Sequence, residues 1–136
     1  MLFAMAQPAV ILVETSLVEA TLARAALALR LEVMVLQAQD LRAASDLLGG
    51  ATVALAILGK DALGAASGGT LRAFVSGGVP VVGVGVNLPE AVRSQALAAG
   101  VREVHERPRE WRAYRSLIAD ILDRALSLDE QVDHRV

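Results

Sequence analysis

The sequence has no cysteine among its 136 residues and only two histidines, His105 and His134. The missing cysteines exclude a disulfide scaffold, a thiolate metal site and a cysteine nucleophile. Two histidines also leave little from which to build a histidine-rich metal site. We therefore expect no bound metal, and nothing in the composition calls for a cofactor.

The sequence also lacks an excess of basic residues, because 13 lysines and arginines face 15 aspartates and glutamates, for a net charge of −2. General nucleic-acid binding depends on a basic field around the protein, so this balance argues against a nucleic-acid partner. Arginines do cluster near the last predicted helix, but Glu103, Glu106 and Glu110 alternate with them. We interpret that segment as a solvated, salt-bridged face or as a patch that binds a partner.

No hydrophobic run in the sequence is long enough to cross a bilayer, which takes about 20 residues. The apolar start, residues 1–13, is interrupted by Gln7 and Pro8 and is ended by Glu14. It also lacks the basic region and the small-residue cleavage motif of a secretory signal. We interpret it as a core strand and expect a cytoplasmic protein that has no membrane partner.

The sequence does contain 54% hydrophobic residues, in short apolar runs that alternate with helical patterns. The predicted strands cover residues 9–13, 31–36, 52–58, 80–86 and 101–105. The predicted helices cover residues 17–29, 40–48, 70–75, 89–99 and 109–128, with a loop over residues 60–69. This alternation is typical of βαβ units, which build a parallel sheet with helices on both faces. We predict one α/β domain over residues 1–128 and a polar tail over residues 129–136.

Three segments have the order and spacing of one protein family. Residues 10–15, Val-Ile-Leu-Val-Glu-Thr, resemble that family's first strand and the paired acidic residues after it. Residues 80–85 resemble its fourth strand, and residues 96–108 resemble the alanine and glycine run that leads into its fifth strand and a Lys-Pro pair. Over about residues 8–127, the chain resembles the receiver domain of two-component response regulators. The resemblance implies a flavodoxin-like (βα)5 fold with strand order 2-1-3-4-5.

The resemblance also implies where a phosphorylation pocket would lie. A receiver binds Mg²⁺ through paired carboxylates after strand one, phosphorylates an aspartate that ends strand three, and contacts the phosphate with a hydroxyl and a lysine. The corresponding positions in this sequence are Glu14, Thr15, Ile57 or Leu58, Gly85 and Arg107. One carboxylate remains, and neither Ile57 nor Leu58 has a nucleophilic atom. We therefore predict a degenerate pocket with no catalytic residue and no metal site.

Arginine can meet a carboxylate with two parallel hydrogen bonds, which lysine cannot do. One hypothesis is therefore that Glu14 and Arg107 form an ion pair in the vacated pocket. The alternatives are that both side chains are solvated, or that Arg107 pairs with Glu103 or Glu106.

The resemblance favours a function in protein–protein interaction. We predict a non-phosphorylatable, non-enzymatic receiver-like module of bacterial two-component or phosphorelay signalling. Its partner would be a signalling protein, such as a histidine kinase, a regulator or an output protein, or a second copy in a homodimer. Relatives use the face built from the last two helices and the strand between them. Here that face is predicted to contain Val92, Ala96, Ala99, Val104, Arg109, Trp111, Arg112 and Arg115.

Two other functions stay open at this point. A small flavodoxin-like protein would use the same crevice to bind a nucleotide or a flavin. A response regulator with a displaced phosphoacceptor would use Asp61, a few residues after the third strand. Trp111, the one tryptophan in the sequence, is predicted to pack on the sheet or on the preceding helix, with an interface anchor as the alternative.

Overall fold

The computed structural model of the chain describes residues 7–49, 52–65 and 68–133. The five strands in these residues are β1 (Ala9–Val13), β2 (Met34–Ala38), β3 (Val53–Leu58), β4 (Val81–Gly85) and β5 (Glu103–Glu106). The six helices are α1 (Leu17–Leu27), α2 (Leu41–Leu48), α3 (Lys60–Ala65), α4 (Gly68–Val75), α5 (Glu90–Ala98) and α6 (Trp111–Asp133). Strands and helices alternate except between β3 and β4, where two helices follow one another.

The five strands form one parallel sheet in the order β2-β1-β3-β4-β5, which confirms the predicted topology. In the central pair, Val13 at the end of β1 lies opposite Leu58 at the end of β3. In the outer pair, Gly85 at the end of β4 lies opposite Glu106 at the end of β5. The carboxyl ends of these strands therefore meet at one edge of the sheet, which we call the carboxyl edge.

Both faces of the sheet are covered, which explains why β1 is apolar at every position and buried throughout. One face packs against α1 and α6 through residues such as Leu27, Ile118 and Leu122. The other face packs against α2, α3, α4 and α5, with Leu63 and Phe74 among the buried contacts. The alternation of side chains along each strand thus divides the core into two layers.

The prediction of a loop over residues 60–69 was wrong, because residues 60–65 form α3. The glycines of this segment favoured a loop, but a tertiary contact anchors the helix. Leu63 is 4% exposed and packs against the Gly83 backbone, where a Cβ would lie 2.7 Å from the Leu63 Cδ1 atom. Helix α4 also begins at Gly68 rather than at Thr70.

The ends of several elements differ from the prediction. Strand β2 begins at Met34, three residues later than predicted, and α1 ends two residues earlier, at Leu27. Helix α6 continues to Asp133, so most of the predicted polar tail belongs to it, while residues 134–136 and the apolar start before Gln7 lie outside the described residues. No helix within the described part of the chain is long and apolar enough to span a membrane.

Candidate functional site at the carboxyl edge

Glu14 is the first residue after β1 and is buried, with 8% of its surface exposed. Its Oε2 atom accepts a hydrogen bond from the Ser16 backbone N–H at 3.0 Å. Burial raises the pKa of the Glu14 carboxyl above its ordinary value of 4.5, and the nearby carboxylates of Glu19 and Asp61 act in the same direction. The hydrogen bond opposes this shift, so Glu14 is a carboxylate held against an unfavourable environment.

Ser16 fixes the start of α1 and thereby the position of Glu19. The Ser16 Oγ atom accepts a hydrogen bond from the Glu19 N–H at 3.3 Å, as the N-cap of the helix. Glu19, in the first turn, then points its side chain toward the segment that follows β5. There Arg107 Nε donates to Glu19 Oε1 at 2.5 Å, and Arg107 Nη1 donates to the Pro108 carbonyl at 3.1 Å.

The hypothesis that Arg107 pairs with Glu14 was therefore wrong, and so were the alternatives with Glu103 and Glu106. Glu19 takes the guanidinium, and the paired side chains are mostly buried, with 18% of Arg107 and 21% of Glu19 exposed. The physical reason is that Glu14 turns to the Ser16 amide. The sequence carried a signal for Glu19, since its spacing from Ser16 places it in the first helical turn.

At the end of β3, Ile57 lines the small space beside Glu14 with an apolar side chain, and Leu58 does not line it. Ile57 packs into the core layer under α1 and α6, and Leu58 packs into the opposite layer. The next residue, Gly59, lies against the Glu14 carboxylate, since a Cβ on Gly59 would lie 2.6 Å from the Glu14 Cδ atom. Gly59 was not among the predicted pocket positions, because the end of β3 was assigned to Ile57 or Leu58.

Tyr114 of α6 lines the same small space as Glu14, Glu19 and Gly59. The Tyr114 ring is buried, and burial is the largest cause that raises the pKa of its hydroxyl to about 12, with the Glu19 charge as the next. The space left between Glu14, Glu19, Gly59 and Tyr114 measures about 10 Å³. That volume is about the least that a single water needs, so the surrounding side chains nearly fill this space.

Asp61 reaches the carboxyl edge from the first turn of α3. Its Oδ2 atom accepts a hydrogen bond from Thr15 Oγ1 at 2.5 Å, and both residues are exposed. The predicted position of the second receiver carboxylate is thus a threonine hydroxyl tied to a carboxylate from a neighbouring helix. Asp61 is the exposed carboxylate that was considered above as a displaced phosphoacceptor.

A cavity of about 320 Å³ opens beside this pair, between the ends of β1, β2 and β3. Thr15, Gln39, Asp40, Leu41, Arg42, Asp61, Ala62 and Thr70 line it. Asp40 caps α2 by accepting the Ala43 N–H at 2.8 Å, so its carboxylate occupies the helix N-terminus that would otherwise receive a phosphate. Asp40 and Asp61 bring two negative charges to this cavity and Arg42 one positive charge, so the net negative charge of the lining disfavours a nucleotide or a flavin phosphate.

The ends of β4 and β5 complete the edge. A Cβ on Gly85 would lie 2.9 Å from Leu88 Cδ2 and 3.2 Å from Lys60 Cβ, so neighbouring side chains take up the room that a hydroxyl residue would need. Glu106 accepts the backbone N–H groups of Asn87 and Leu88 at 2.6 and 3.3 Å. The Asn87 hydrogen bond is the main cause that lowers the pKa of the Glu106 carboxyl.

The described residues contain no group of three or more histidine, cysteine, aspartate or glutamate side chains arranged to hold a metal ion. Of the carboxylates at the carboxyl edge, Glu14 accepts from the Ser16 N–H, Asp61 from the Thr15 hydroxyl and Glu19 from Arg107. His105 is also partnered, with its Nε2 atom 2.7 Å from Glu103 Oε1.

The predicted contact face is only partly available for contact. Ala96, Ala99 and Val104 are 0%, 5% and 6% exposed, so including them was wrong: they pack in the core layer beneath the face. Val92 is half-buried and packs against the same layer. The exposed residues of this region include Leu97, Arg109, Trp111, Arg112 and Arg115, together with Glu90, Glu106 and Glu110. Leu97 was not predicted.

Trp111 begins α6 and is 41% exposed, so the prediction that it packs on the sheet or on the preceding helix was wrong. Its ring meets that of Tyr114 edge to face, with 6.2 Å between the ring centroids. Trp111 is therefore a partly supported aromatic side chain at the surface, next to Arg112 and Arg115.

No protein-family model and no curated protein matches the sequence. Solved structures do match. The phosphorylated cyanobacterial phytochrome response regulator RcpA has a TM-score of 0.74 at 18% identity, over 90% of this chain and 96% of that one. A response regulator from Thermotoga maritima has a TM-score of 0.69 at 16% identity, over 86% and 98%. A CheY-like protein, tadZ, from Pseudomonas aeruginosa PAO1 has a TM-score of 0.68 at 18% identity, over 87% and 98%. The chain thus has the fold of response-regulator receiver domains.

Proposed function

We propose that this protein is a receiver-fold interaction module of bacterial two-component or phosphorelay signalling that is not itself phosphorylated. The observation that carries the proposal is Gly59 at the end of β3, which lies against the Glu14 carboxylate. Phosphoryl transfer to a receiver needs a carboxylate nucleophile that projects from the end of this strand. Gly59 offers no side chain, and Glu14 takes up the space that one would need.

Two further features support the proposal. The cavity beside Gly59 measures about 10 Å³, because Glu14, Glu19 and Tyr114 nearly fill the space around it. Arg107 stands where a receiver places its phosphate-binding lysine, and Glu19 holds its guanidinium at 2.5 Å. The cation is therefore neutralised by a residue of the chain itself, so a phosphate would have to displace Glu19 in order to bind it.

With no phosphorylation, the protein acts by binding. The proposed contact surface is the exposed side of α5, β5 and α6, with Leu97 and Trp111 as apolar groups and the three arginines Arg109, Arg112 and Arg115 around them. Aromatic residues and arginines carry much of the binding energy at protein interfaces. A signalling protein with an acidic rim around an apolar centre fits this surface, and we propose a histidine kinase, a regulator or an output protein.

Incubation with acetyl phosphate and Mg²⁺, followed by intact-mass spectrometry, tests the lack of phosphorylation. We expect no mass gain, and we expect no spectral change on titration with beryllofluoride and Mg²⁺. A phosphorylatable receiver domain in the same buffer is the positive control. A mass gain of one phosphoryl group would overturn the proposal.

Partner binding is measured separately, by titrating candidate signalling proteins and following the fluorescence of Trp111, the one tryptophan in the sequence. Leu97→Ala and Arg112→Ala are expected to weaken binding, whereas Ser45→Ala, at an exposed position on α2 beside the opposite outer strand β2, is the matched control. Equal affinities for the surface variants and the control would contradict the assignment of the surface.

The second candidate function is a response regulator that uses Asp61 as a displaced acceptor. The supporting observation is the Thr15–Asp61 hydrogen bond, which brings an exposed carboxylate to the carboxyl edge. If acetyl phosphate does add a phosphoryl group, Asp61→Asn separates the possibilities. Loss of the modification in this variant would favour Asp61, and its persistence would exclude it.

A further inference from the structure

Strand β2 forms one outer edge of the sheet. The Met34 N–H donates to the Pro8 carbonyl, and the Ala38 carbonyl accepts from the Glu14 N–H, so these two residues direct their backbone groups toward β1. Successive residues of a strand direct their N–H and C=O groups to opposite sides, so Met34, Leu36 and Ala38 form the hydrogen bonds with β1. Val35 and Gln37 therefore direct their N–H and C=O groups away from the sheet, and no other described residue pairs with these groups.

The other outer strand, β5, carries the features that natural sheets use to prevent pairing with another chain. Two of its four residues are glutamates, and Glu103 also holds Arg124 at 2.6 Å. Strand β2, with the sequence Met-Val-Leu-Gln-Ala, has no charged residue and no proline. Its Met34 side chain is 41% exposed. Strand β2 therefore lacks the charged residues that protect the β5 edge from pairing with another chain.

The surroundings of β2 combine exposed apolar side chains with two arginines, Arg24 and Arg30. Between α1 and β2 lies a groove of about 410 Å³, lined by Arg24, Ala25, Leu27, Ala28, Arg30, Leu31, Val33 and Val35. Leu31 is 84% exposed and Leu29 is 56% exposed, both in the segment that leads into β2. The helix presents Ala25 and Ala28 to this groove, so a neighbouring element can approach closely.

We propose that β2 pairs with β2 of a second copy of the chain, in antiparallel orientation, to form a continuous ten-stranded sheet across the pair. A two-fold axis beside Leu36 places Val35 of each copy opposite Gln37 of the other. Each of these two opposed pairs exchanges both of its backbone hydrogen bonds, which uses every outward group of Val35 and Gln37. The proposal is independent of whether the protein is phosphorylated.

Two observations favour a second copy as the occupant. The outward N–H and C=O groups belong to Val35 and Gln37, on either side of Leu36. A two-fold rotation beside Leu36 therefore sets the donors of one copy against the acceptors of the other. A copy also meets no like charge along β2, whereas two β5 strands would bring glutamates opposite one another. A strand of five residues with its flanking leucines contributes a small interface, so we expect a weak dimer whose population depends on concentration.

Sedimentation velocity over a concentration series up to about 1 mM tests the proposal, because even a weak pair is populated there. We expect the apparent mass to rise from 14.2 kDa toward twice that value. Val35→Pro removes an outward N–H but no hydrogen bond to β1, so the variant should fold and associate roughly tenfold or more weakly. Val35→Thr keeps the N–H and the branched shape, and should associate like the natural sequence.

Amide hydrogen exchange on the unmodified protein provides a second measurement that does not depend on the folding of a variant. The Val35 and Gln37 amides should exchange fast in dilute solution and become protected as the concentration rises, while the Leu36 amide stays protected throughout. A monomer at every concentration, or a dimer that leaves Val35 and Gln37 unprotected, would overturn the proposal. The second outcome would instead indicate association through α5, β5 and α6.

Discussion

Replacing Glu19 with glutamine removes the charge that holds Arg107 beside the carboxyl edge. Both side chains are about four-fifths buried, and the Arg107 Nε to Glu19 Oε1 distance is 2.5 Å. Once Glu19 is neutral, the Pro108 carbonyl is the other described partner of the guanidinium. A hydrogen bond between charged groups contributes about 1.5–3 kcal/mol, and full burial would raise the cost of breaking it. We therefore expect Glu19→Gln to lower the free energy of unfolding by about 2 kcal/mol.

Urea unfolding followed by circular dichroism measures this loss, which corresponds to a melting temperature lower by roughly 6 °C for a domain of this size. Glu110→Gln is the matched control, because Glu110 is exposed and its side chain makes no hydrogen bond or ion pair with the described residues. We expect the control to change stability by less than about 0.5 kcal/mol.

Double-mutant cycles identify the partner of Arg107 directly. The cycle of Glu19→Gln with Arg107→Gln should give a coupling energy of about 1–2 kcal/mol, while the cycle of Glu14→Gln with Arg107→Gln should give a value near zero. Equal stability losses for Glu19→Gln and Glu110→Gln, or a larger coupling with Glu14, would refute the reasoning.

Three further predictions concern the same edge and its support. Because burial raises the Glu14 pKa above 4.5, the folded state binds a proton more tightly than the unfolded chain does, and ionisation of Glu14 costs stability as the pH rises through the raised pKa. Glu14→Gln should therefore be more stable than the natural sequence at pH 7 and lose that advantage below pH 4.5 in pH-dependent urea titrations. Gly59→Ala should lower stability by about 1–3 kcal/mol because its Cβ meets the Glu14 carboxyl, and thermal melts should show most of the loss disappear in a Glu14→Ala background. Leu63→Ala should cost about 2–4 kcal/mol in the same melts, since Leu63 is 4% exposed against the Gly83 backbone, and a loss below about 1 kcal/mol would mean that α3 is not anchored there.

The layout of the sheet could be predicted from the sequence because it depends on a pattern repeated along the whole chain. Apolar runs such as that of β1 alternate with helical segments, and connection rules then leave few topologies. The helix α3 could not be predicted in this way, because a contact that anchors it, between Leu63 and the Gly83 backbone, joins distant parts of the sequence.

The sequence predicted which residues lie at the candidate site, but it did not predict which of them contact one another. Glu14 and Arg107 do lie at the carboxyl edge, but the partner of Arg107 depends on where the first turn of α1 directs Glu19. Gly59 faces Glu14 because of a strand register that the sequence does not display. Ala96 and Ala99 were predicted on the surface because receiver relatives use this face for contact, whereas both alanines pack in the core layer.

Strand β1 has a consequence for how the chain is made. Both of its neighbours, β2 and β3, follow it in the sequence, and the pairing with β3 joins Val13 to Leu58. During synthesis, more than forty residues must be added after this apolar strand before β3 can pair with it. Nascent chains that stop before β3 should aggregate, whereas chains that include β3 can bury the strand. Because β1 lies between β2 and β3 in the sheet, it is paired on one side only until β3 has been synthesised.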